Sequence, residues 1–132
     1  MDKSQLVHRW LLITGSLISL LGVAHLAIAV PMGIEVVKYL PKEAALPLTL
    51  GNILTAVAVG GAGFLTIYCA SGLKRNERWS WTIAVGAGIF MTLVGIGYVV
   101  ITPDNPFAYL ALVVALCDLA PLGLYRKSLF LR

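Results

Sequence analysis

Apolar residues run almost unbroken through four stretches of the chain, and polar or helix-breaking residues gather between them. The stretches cover about residues 10–30, 48–72, 79–101 and 107–125. A helix rises 1.5 Å per residue and the hydrocarbon layer of a bilayer is about 30 Å thick, so each run is long enough to cross it. Runs this continuous exclude a membrane β-barrel, whose strands alternate in character over about ten residues. The pattern predicts an all-α integral membrane protein: a four-transmembrane-helix bundle forming a single domain over residues 1–132.

Each run has a marker at its edges. Pro31 and Gly33 follow the first, Pro47 precedes the second, and Lys74, Arg75, Asn76, Glu77 and Arg78 divide the second from the third. Pro103 to Pro106 separate the third from the fourth. Residues 31–47 are then the one long connection, an outer loop. Its Ile34, Val37 and Leu40 set among Glu35, Lys38 and Tyr39 predict a short amphipathic interfacial helix. Trp10, Tyr39, Trp79, Trp81, Tyr98 and Tyr125 fall near segment ends, where amphipathic rings favour headgroup level. Lys3 to Arg9, an apolar run and Ala27-Ile28-Ala29 resemble a secretory signal, but that run exceeds the usual 7–15 or so residues and reads as a retained helix.

Composition agrees with residence in a membrane. Hydrophobic residues make up 59% of the chain and charged ones 12%, against roughly 45–50% and about 25% in soluble domains. The net charge of +4 is scattered over chain ends and one loop, which excludes a nucleic-acid partner. Lys3, Arg9, Lys74, Arg75, Arg78, Arg126, Lys127 and Arg132 fall on one side of the four segments, and Lys38 and Lys42 on the other. By the positive-inside rule, this multi-pass chain keeps its N- and C-termini on the cytoplasmic side of the cell membrane.

Helices in lipid associate through close backbone approach and a few hydrogen bonds. Small residues at helical spacing mark the expected contacts: Gly15, Ser19 and Gly22; Gly60 and Gly63; Gly88 and Gly95; and Ala115, whose stripe continues to Asp118. A carboxylate within the membrane is costly and calls for a partner, a wet cavity or the neutral form. Thr66, Ser16 and Ser19 are the expected hydroxyl partners of Asp118. Measured from Trp10 and Phe107, His25 and Asp118 lie roughly 12 Å apart along the membrane normal, too far to pair. His25 instead shares a layer with Asn52 and Tyr98, and these three form an expected outer polar cluster.

Cys69 and Cys117 lie at different depths and are read as buried thiols without a disulfide. His8 and His25 sit near opposite ends of one helix and cannot share a metal. No catalytic set, metal cluster or cofactor motif is present, and the residues resemble no family closely enough to name one. Three functions fit. The first is an accessory or scaffolding subunit of a larger membrane complex, whose partners are membrane lipids and other membrane protein subunits or further copies of itself. The second is a small oligomeric carrier or channel with Asp118 as its protonatable site. The third is a lipid or quinone binder using His25, Asn52 and Tyr98.

Overall fold

All four apolar runs are helical in a computed structural model of the chain, which describes residues 3–75, 77–124 and 126. Asn76, Tyr125, Lys127 and Arg132, used above to place turns and charges, lie outside the described residues, as does the side chain of Lys3. The helices are α1 (Lys3–Tyr39), α2 (Lys42–Lys74), α3 (Arg78–Ile101) and α4 (Pro106–Leu124). Each is long and apolar enough to cross a membrane.

The expected loop at 31–47 is not a loop. α1 continues through Pro31 to Tyr39, and α2 starts at Lys42 with Pro47 inside it, so only Leu40 and Pro41 connect them. A proline inside a helix removes one hydrogen bond, and a packed neighbouring helix holds the chain straight enough to continue. Here that neighbour is close, because the side chain of Thr49 fills the space beside Gly33. The expected interfacial helix is thus the last two turns of α1, with Lys38 and Glu35 paired at 2.6 Å on its surface. The other boundaries have local causes. Pro103 stops α3, whose end is capped by Thr102 donating both backbone N–H and hydroxyl to the Tyr98 carbonyl, each at 2.8 Å. Pro106 opens α4, and Asn105 Oδ1 accepts the Phe107 N–H at 3.0 Å.

The helices pack as an antiparallel ring in chain order, α4 closing against α1, with α1 and α2 the most intimate pair. That intimacy is backbone against backbone. A Cβ on Gly22 would overlap the backbone of Gly60, and one on Gly63 would overlap that of Ser19 and Gly15. On the other side of the ring, Gly88 receives Leu119 and Gly95 receives Leu112. The N-terminal end of α1 and the C-terminal end of α4 lie at one end of the bundle. There, His8 Nδ1 meets the Ala70 carbonyl at 2.8 Å, and Trp81 Nε1 donates to the Leu122 carbonyl at 3.1 Å.

Between the ends the interior is layered. Nearest the termini is an apolar layer built on Val7, Leu11, Cys69, Leu73, Ala84 and Leu122. A polar layer around Asp118 and Thr14 follows. Above it, Ile18, Val59, Ala62, Ala87, Met91 and Ala115 form a second apolar layer. Beyond that layer the core gives way to a cleft.

Candidate functional site

α4 turns Asp118 inward at the point where all four helices approach, and no part of the residue is exposed. Thr14 of α1 donates its hydroxyl to Asp118 Oδ1, and Thr14 Oγ1 also lies 3.1 Å from the Trp10 carbonyl one turn back along α1. Asp118 Oδ2 faces α3, 3.6 Å from where a Cβ on Gly88 would stand. Thr66 of α2 brings its buried hydroxyl beside the carboxyl, outside hydrogen-bond geometry. Ser19 is buried against Gly63, and Ser16 is exposed on the bundle surface. The partner that sequence reasoning missed is Thr14. The sequence-based depth takes Trp10 as the membrane edge. Trp10 Nε1 instead donates at 2.7 Å to the Cys117 carbonyl, and Cys117 lies seven residues, about 10 Å, inside the last residue of α4. Thr14, one turn further along α1, therefore stands level with Asp118.

The Trp10 bond has its own cause. Pro121 lies inside α4 and has no N–H, so the carbonyl four residues earlier, that of Cys117, lacks its helical donor. Trp10 supplies one from α1.

At the other end of the bundle, Tyr98 of α3 reaches across the ring to His25 of α1, its Oη 3.2 Å from Nε2 and 3.4 Å from Nδ1. The rings meet edge to face, with centroids 5.6 Å apart and planes at 72°. Both residues line a cavity of about 390 Å³, and Asn52 of α2 lines it too. The three residues therefore border one space, with His25 and Tyr98 in direct contact and Asn52 exposed nearer the α1–α2 connection. Asn105, a lining residue sequence reasoning passed over, stands at the start of α4. The Asn-Pro pair that marks a helix start was its available signal.

The cavity exists because the residues facing this space are small: Ala24 and Ala29 on α1, Gly95 on α3, Ala108 and Ala111 on α4. Its remaining walls are apolar, with Leu21, Val59, Met91 and Val94 on the side of the second core layer. Asp118 does not line it. Among the described residues, no three His, Cys, Asp or Glu side chains gather to hold a metal ion, and both cysteines are free. Comparisons of the chain with protein-family models, with curated proteins and with solved structures find no match in any of the three.

Proposed function

We propose that this protein is a multi-pass protein of the cell membrane, with both termini cytoplasmic, that binds a small lipophilic molecule in the cleft lined by all four helices. The observation that carries this reading is the 390 Å³ cavity, apolar except for His25, Tyr98, Asn52 and Asn105. Ligand sites are of this kind: roughly 300–1,000 Å³, mostly apolar, with a few convergent polar groups. A bundle made only to scaffold would gain by filling the space, since each missing contact costs dispersion energy. Eight of the ten Lys and Arg residues fall on the side of the termini, which supports the orientation.

The accessory-subunit reading rests on the apolar exterior, which lipid tails satisfy as well as a protein partner does. The carrier reading rests on Asp118, which is sealed between core layers and bonded to Thr14. The cleft supports the third reading more directly than either feature supports its own.

The test is lipidomic. The full chain is purified in mild detergent, and its bound small molecules are compared with those of Ala24→Leu, which places bulk in the cleft. A molecule that stays with the wild-type protein and is lost from Ala24→Leu is the expected result; identical bound profiles would overturn the proposal.

A further inference from the structure

The chemistry of the lining says more about the occupant than its volume does. Resting on the cleft as a binding site, we infer that it selects a membrane-soluble molecule with an uncharged, oxygen-bearing head, a carbonyl or hydroxyl, over fatty acids and anionic phospholipids. None of the described lining residues is Lys, Arg, Asp or Glu. A charged head would enter an apolar wall without a counter-ion, and burying an unpaired charge is far costlier than burying a neutral polar group.

The start of α4 borders the cleft, and a helix N-terminus is elsewhere a ready anion site. Here its donors are taken. Pro106 has no N–H, the Phe107 N–H bonds Asn105 Oδ1 at 3.0 Å, and the Ala108 N–H bonds the Asn105 carbonyl at 3.1 Å.

The His25–Tyr98 pair fixes what the head must offer. If the Tyr98 hydroxyl donates to the ring, the remaining His25 N–H is left over; if the ring donates to Tyr98, the hydroxyl proton is left over. Either way one donor is spare, and it suits an oxygen acceptor. Asn52 adds a second polar point closer to the hairpin tip. Gly22 packs on Gly60 and Gly33 on Thr49, which sets Asn52 about five residues, or about 7 Å, beyond His25. On the opposite side, Met91 lies seven residues, about 10 Å, below Tyr98, and the wall between is apolar. Head toward the tip and apolar body toward the core is the orientation of a molecule entering from the outer leaflet.

The full chain in phosphatidylcholine nanodiscs is titrated with a short-tailed alkyl benzoquinone and, separately, with a fatty acid of matched tail length. The quinone is expected to bind at least tenfold tighter. The double variant His25→Ala/Tyr98→Phe, which removes both donors of the pair, should weaken the quinone about tenfold and leave the fatty acid unchanged, whereas either single variant, which keeps one donor, should weaken it less. Equal affinity for both probes, each blocked by Ala24→Leu, overturns the head selectivity and leaves the cleft reading standing. Probe binding indifferent to Ala24→Leu overturns both.

Discussion

Pro121 deprives the Cys117 carbonyl of its donor within α4, and Trp10 replaces it from 107 residues away. The two residues are therefore coupled. Trp10→Phe is expected to lower stability by about 1 kcal/mol, the net value of a hydrogen bond of this kind. The loss should shrink in a Pro121→Ala background, where Cys117 regains a helical partner; a reversible unfolding assay in mixed detergent, run as a double-mutant cycle, measures it. Asp118→Asn keeps an oxygen for Thr14 and gains an amide that Thr66 can accept, so the variant should fold and bind the cleft ligand as the wild type does. Quinone titration of that variant is the check, and lost binding would place Asp118 in the site. At this scale the sequence marked Asp118 as needing a partner, because a carboxylate on a small-residue stripe points inward. It hid Thr14, since no local pattern tells which Trp sits at a helix's edge and which sits inside it bridging to a broken turn.

For whole helices, four elements were legible from hydropathy alone, because composition and length are what a spanning segment is made of. Their ends were not. Pro31 and Pro47 read as breaks, yet α1 and α2 support one another past both of them, and only a long-range contact such as Gly33 with Thr49 makes that visible. The glycine stripes also conceal an asymmetry. A Cβ on Gly22 has no room, while one on Gly60 would meet nothing nearer than the Gly22 Cα at 3.9 Å. Gly22→Ala should force α1 from α2 and lower the thermal unfolding midpoint by several degrees, whereas Gly60→Ala should leave it unchanged or raise it, alanine being the better helix former. Circular dichroism melts of the two purified variants separate these outcomes.

For the molecule as a whole, the ring of antiparallel helices puts the start of α1 and the end of α4 at one face of the bundle. With the proposed insertion, compartment reporters fused to either end should both read cytoplasmic. A cysteine at Leu40, in the α1–α2 connection, should react with a membrane-impermeant maleimide added from outside. The cavity was not legible beforehand. Its polar members could be gathered by depth, but empty space depends on how far α4 stands from α1, which no hydropathy pattern records.

The unequal helix lengths carry a last consequence. Over the described residues α1 is 37 residues long, about 55 Å, and α4 is 19, about 28 Å. A bilayer with its headgroups measures about 40–45 Å. With the proposed insertion the α3–α4 connection would end among the headgroups, and the hairpin of α1 and α2 would stand above it like the back of a chair. In that setting whatever approaches from the aqueous side would meet the raised hairpin first, and the seat behind it would be reached sideways, through lipid.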